Sequence, residues 1–139
     1  MYRKILHGLD GSESSFKALA EAIDLASRMG AELHTISVEE VPRYPGTIGE
    51  VVEEKEAANG RYADAIARVR DLGTVKGVEV RSHVVVGHEV KSIVEFVKAH
   101  KFDLLVVGFM GHSAVYERVM GGTCQNLVRL VPCSVMVVK

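Results

Sequence analysis

Short apolar runs along the chain are separated by longer stretches in which apolar residues recur every three or four positions. RKILHGL (Arg3 to Leu9), LHTISV (Leu33 to Val38), VEVRSHVVV (Val78 to Val86), FDLLVV (Phe102 to Val107) and Val135 to Val138 each predict a β-strand. Between the first two, Phe16, Leu19, Ile23 and Ala26 recur at helical spacing until Gly30 stops the helix. Glu50 to Leu72 predicts a second helix, with Tyr62, Ile66 and Val69 inward and Gly60 as a point where it could break. Val90 to His100 predicts a third, with Val90, Ile93, Val94 and Val97 inward, and Cys124 to Val131 a fourth.

Strands that alternate with helices predict an α/β fold with a parallel sheet. The runs VVV and LLVV lack polar alternation, as strands covered on both faces do. Asp10-Gly11-Ser12-Glu13, directly after the first strand, is turn and N-cap chemistry, with Asp10 itself a candidate cap. EEVPRYPGTIG (Glu39 to Gly49) holds two of the three prolines and predicts a surface loop. No repeat, low-complexity tract or linker divides the chain, so one domain over residues 1–139 is expected.

Composition narrows the partners. Of 139 residues, 17 are basic and 18 acidic, a formal net charge of -1, so neither nucleic acid nor an anionic membrane is an expected partner. MYRKILHGLDGSESS does not read as a signal peptide, and no apolar run approaches membrane length. Cys124 and Cys133 form neither a CxxC pair nor a disulfide framework. A cytoplasmic protein is expected. His7, His34, His83, His88, His100 and His112 show no metal-ligand spacing on a common element, so no dedicated metal site is expected.

The candidate chemistry lies in GFMGHSAVYERVMGGT (Gly108 to Thr123), between the fourth strand and the last helix. Ligands of open α/β sheets bind beyond the carboxyl ends of the strands. Backbone N–H groups at glycine-rich turns and helix N-termini suit phosphate, and glycines let its oxygens approach closely. The bland alternative is a tight crossover that binds nothing. GxxxxGK[ST] is absent, as is GxGxxG after the first strand. The spacing is Gly108-x2-Gly111-x9-Gly121, then Gly122-Thr123.

With this spacing the chain resembles the universal stress protein family, whose nucleotide-binding members carry G-x2-G-x9-G-[S/T] at this place. The resemblance extends to ILHGLDGSESS, to Gly87 after the third strand, and to FDLLVVG and VPCSVMVVK. It implies a three-layer sandwich, a five-stranded parallel sheet of order 3-2-1-4-5 flanked by helices, of the adenine nucleotide alpha hydrolase-like kind. It further implies an adenine nucleotide ligand, ATP or AMP, with Mg²⁺ accompanying the phosphates. Gly8, Leu9 and Asp10 would border the adenosine, with Asp10 as hydrogen-bond acceptor, and Val38 would meet the adenine. Gly108, Phe109, Met110, Gly111, His112 and Ser113 would line the ribose and phosphates. Gly121, Gly122, Thr123 and Cys124, opening the last helix, would face the phosphate tail. A homodimer through Val135 to Val138 is implied as well.

Gly122 departs from the family pattern, because it stands at the Ser/Thr position and removes a hydroxyl donor. Thr123 points about 100° further round if helical. The turn has no lysine and only Arg118 as arginine, so binding is expected to outweigh turnover, with at most weak ATPase activity. A nucleotide-free dimeric scaffold and a slow ATP hydrolase remain the alternatives. His112 is either an anion contact or a loop histidine. Cys124 is either a low-pKa thiol at a helix N-terminus or a small buried one.

Overall fold

Lys4–Gly8 (β1), Glu32–Glu40 (β2), Val80–Gly87 (β3), Leu104–Gly108 (β4) and Ser134–Val138 (β5) form a parallel sheet of order β3-β2-β1-β4-β5. Helices Glu13–Met29 (α1), Ile48–Val75 (α2), Glu89–His100 (α3) and Gly122–Leu130 (α4) alternate with the strands. The computed structural model describes residues 1–40, 48–109 and 122–139, and for residues 48–59 and 61 the backbone alone. This is the sheet order that the family resemblance implied.

Apolar strands fill both faces. Ile5 and Leu6, neighbours on β1, enter different cores. One core packs Leu19, Ile23 and Val69 of α1 and α2 against Ile5, Leu33 and Val106. The other packs Ile93, Val97 and Leu127 of α3 and α4 against Leu6, Ile36 and Leu105. The inward set expected on α1 (Phe16, Leu19, Ile23, Ala26) is buried throughout.

Several local expectations change. Asp10 does not cap α1; Ser12 does, its Oγ accepting the Ser15 N–H at 3.1 Å. Glu39 and Glu40 are strand rather than loop, paired in register with Val86 and Gly87. Glu40 has a reason to stay there: its Oε1 accepts the Glu89 N–H at 2.9 Å, where the side chain of the N-cap residue His88 does not cap the helix. The expected loop from residue 41 to 47 lies outside the described residues, and Ile48 and Gly49 already belong to α2. α2 runs unbroken through Gly60 to Val75, so a glycine cost of about 1 kcal/mol is outweighed by packing. α4 begins at Gly122 rather than Cys124 and ends at Leu130, one residue before the expected Val131.

Strand register also joins two histidines that are far apart in sequence. His34 Nδ1 and His83 Nε2 lie 2.9 Å apart, so one ring donates to the other. Phe102 meets His34 edge-on, and Phe96 leans on His83. Burial, followed by the charge of His83, lowers the His34 pKa from 6.5 to about 4; Lys4 and Arg81 add to this and Glu32 opposes it. His83 is lowered by burial first, then by His100, Arg81 and Lys4.

Gly108 ends β4 beneath the first turn of α1. A Cβ there would lie 2.5 Å from Ser14 Oγ, 2.7 Å from Ser14 O and 2.8 Å from its carbonyl carbon. Two of those atoms are backbone and cannot rotate away.

Two outcomes follow from this packing. Gly108→Ala should force α1 off β4 and cost about 1–3 kcal/mol, read as a lower urea midpoint. An unchanged midpoint would show that the helix yields freely. For the histidines, the unfolded chain takes up protons as pH falls below 6.5, whereas folded His34 resists protonation until about pH 4. Stability should therefore fall with pH across that window, so urea midpoints should be lower at about pH 5 than at about pH 7.5. His34→Gln, polar but not titrating, should shrink the difference. Equal wild-type midpoints at the two pH values would refute the assignment.

Candidate functional site

Where β1, β2 and β4 end, their connections part and leave a cavity of about 250 Å³. Sequence-distant residues converge on it. Gly8, Leu9 and Asp10 follow β1, Val38 lies near the end of β2, and Gly108 and Phe109 close β4. Thr123 and Cys124 come from the first turn of α4. Gly122 opens that helix beside them without itself lining the cavity, and a Cβ on it would meet no described atom within 4 Å. Met110, Gly111, His112, Ser113 and Gly121 lie outside the described residues.

The cavity also has walls that the sequence did not assign to a ligand. Ser12 and Ser15 come from the start of α1, Tyr62 from α2, and Glu89 and Ile93 from α3. Tyr62 and Ile93 carried a signal only as inward-facing residues. Glu89 carried none, because its place depends on Glu40 holding the start of α3 against β2. The apolar part of the lining comes from Ile36, Val38, Ile93, Val107 and Leu127, and Asp10, Ser12, Ser15, Tyr62, Glu89 and Thr123 bring polar groups to it.

A hydrogen-bonded turn fixes the polar edge. Asp10 Oδ1 accepts from the Ser12 N–H at 2.9 Å and from Ser12 Oγ at 2.5 Å. Gly11, at φ 84°, supplies the backbone conformation between them. Ser15 Oγ donates to the Ser12 carbonyl at 2.8 Å. Beneath this turn, His7 is fully buried on β1, with Nε2 at 2.7 Å from the Ser15 carbonyl. Burial pushes the His7 pKa down to about 4, against the opposing Ser15 bond and the Asp10 charge. The ring is neutral at pH 7.

Cys124 is buried, and desolvation raises its thiol pKa. The buried thiol is therefore the structure's choice between the two readings. The first N–H groups of α4, at Gly122 and Thr123, have no intrahelical acceptor and carry positive partial charge. Together the arrangement suits a flat, apolar body with hydroxyl donors near Asp10 and an anionic end near α4.

Comparison with known proteins gives a consistent result. The profile of the Universal stress protein family matches residues 1–139. A universal stress protein of Methanocaldococcus jannaschii is 29% identical over 141 residues, spanning 100% of this chain and 83% of that protein. Among solved structures, the universal stress protein UspA from Lactobacillus plantarum superposes with a TM-score of 0.84 at 27% identity, covering 99% of this chain and 98% of that one. A universal stress protein crystallised in complex with cAMP gives a TM-score of 0.76 at 27% identity, covering 99% and 97%. Among the described residues, no helix is long and apolar enough to cross a membrane.

Proposed function

The chain belongs to the universal stress protein family, and from that premise we propose that its cavity binds an adenine nucleotide. Binding, rather than turnover, then serves a regulatory or protective role in the cytoplasm under stress. One observation carries this reading: Asp10, Val38, Gly108 and Thr123, from four separate parts of the sequence, border one cavity at the carboxyl ends of the strands. A relative of the same fold crystallised with cAMP supports it. Asp10 accepts from a ribose hydroxyl, Val38 meets the adenine, and Gly8 and Leu9 border the adenosine. Gly108 and Phe109 lead to the turn that follows the ribose and phosphates. Backbone N–H groups of Gly122 and Thr123 receive the phosphate end. Any Mg²⁺ enters with the phosphates; the described residues offer no cluster of three His, Cys, Asp or Glu to hold it independently.

A second reading rests on Gly122, which removes a hydroxyl from the phosphate end: the protein is a dimeric scaffold that has lost its nucleotide. Both readings include a homodimer. Among the described residues, β5 has β4 on one side and an open edge on the other, which invites pairing with a second copy.

Calorimetric titration with ATP and AMP separates the two readings. Wild type should bind both, and Asp10→Ala should weaken both. Gly122→Ser places its side chain where no described atom stands within 4 Å of the Cβ, and should tighten ATP by about 1 kcal/mol, with less gain for AMP. Absence of heat with either nucleotide, and of any adenine compound released on denaturing the purified protein, would leave the scaffold. The dimer has its own test. The Val138 carbonyl accepts from Phe109 on the β4 side, so the alternate Val137 N–H points to the open edge. Val137→Pro deletes that outward donor without breaking the β4–β5 ladder. Sedimentation should show a wild-type dimer and a Val137→Pro monomer. A wild-type monomer at micromolar concentration would end the proposal.

A further inference from the structure

We infer that His7 is a positioning residue for this cavity: from its buried place on β1 it holds the first turn of α1, and through Ser15 and Ser12 it holds the Asp10 carboxylate. The inference rests on the nucleotide reading for its ligand, but its hydrogen bonds stand without it.

The direction of each bond is fixed. A carbonyl can only accept, so His7 Nε2 carries the proton and donates to Ser15 O. Ser15 answers with two bonds to Ser12: its N–H to Ser12 Oγ and its own Oγ–H to the Ser12 carbonyl. Ser12 in turn gives both its N–H and its Oγ–H to Asp10 Oδ1. Five bonds thus run from the sheet interior to the cavity wall. The Oγ of Ser12 accepts on one side and donates on the other, so the relay has one orientation.

A second observation points away from simple packing. With the proton on Nε2, Nδ1 is a bare acceptor, and it is buried without a hydrogen-bond partner among the described residues. An unpartnered buried acceptor is destabilising, and an aliphatic side chain at this position would avoid it. The neighbouring strand residues Ile5 and Leu6 are aliphatic. The imidazole at position 7 therefore lowers stability on one nitrogen while the other makes the Ser15 bond. That bond is what the ring adds over a leucine.

The test uses AMP, calorimetry and two substitutions. His7→Leu fills the space without a donor; His7→Gln places an amide N–H near the former Nε2. AMP Kd should rise about tenfold in His7→Leu and stay within about twofold of wild type in His7→Gln. In an Asp10→Ala background, His7→Leu should add no further loss, because the relay then has no end point. Unchanged AMP affinity in His7→Leu, or an equal loss with and without Asp10, would overturn the inference. Should wild type bind no AMP, the nucleotide reading fails and amide hydrogen exchange decides the positioning role alone. Ser12 and Ser15 amides should then exchange about tenfold faster in His7→Leu but not in His7→Gln, and unchanged exchange would refute it. If His7→Leu does not fold, His7→Asn, whose shorter amide stops short of the Ser15 carbonyl, replaces it with the same expectations.

Discussion

β1 is hydrogen-bonded to β2 on one side and β4 on the other, with a core against each face. The rest of the molecule is arranged around that enclosure. A strand covered on every side must leave the sheet at its end, and the chain order decides what surrounds its exit. β1, β2 and β3 step outward in one direction, and the chain then crosses back to place β4 on the other side of β1. At that reversal the connections diverge, and the space between them is the cavity. Topology makes the opening; the residues at the ends of the strands decide what it accepts.

Much of this was legible because burial leaves a periodic trace. Five apolar runs and four amphipathic stretches correspond to the five strands and four helices, with shifted ends. What escaped has a common physical character: it depends on contacts between elements, which periodicity does not carry. Glu39 and Glu40 look like the start of a polar loop, yet register with β3 and the backbone of Glu89 extend the strand through them. Ser12 and Asp10 are both plausible caps in sequence; geometry gives Ser12 the cap and Asp10 the bonds from Ser12. His34 and His83 are 49 residues apart and meet because β2 and β3 are adjacent. Tyr62 and Glu89 join the cavity only once α2 and α3 are packed in place.

The polar groups around the cavity are held in unequal ways. At the β1 end, Asp10 sits in a relay that reaches the sheet interior through Ser12, Ser15 and His7. At the β2 end, Glu40 caps α3 across the gap and sets where Glu89 stands. Among the described residues, the contribution at the α4 end is backbone, together with a hydroxyl from Thr123 and a neutral thiol from Cys124. Among the described residues, preorganised side-chain bonding therefore concentrates on the half that borders the proposed adenosine. The half proposed for phosphate relies on the helix terminus, whose N–H groups recognise negative charge.

The glycines near this site do not share one explanation. Gly108 is dictated by the fold, since a methyl group would strike the backbone of Ser14 in α1. It would be needed with or without a ligand. Gly11 is dictated by the turn, because its φ of 84° suits few other residues and allows Asp10 to receive the Ser12 donors. Gly122 has neither reason. Its φ is not positive, and no described atom stands within 4 Å of where its Cβ would be. Glycine is also the poorer helix former by about 1 kcal/mol relative to alanine. Packing of the described residues therefore leaves room for the hydroxyl expected from the family pattern, and nothing in that packing requires a glycine at 122. In the nucleotide reading proposed above, the N–H groups of Gly122 and Thr123 meet the phosphate end without the hydroxyl that Gly122→Ser would restore.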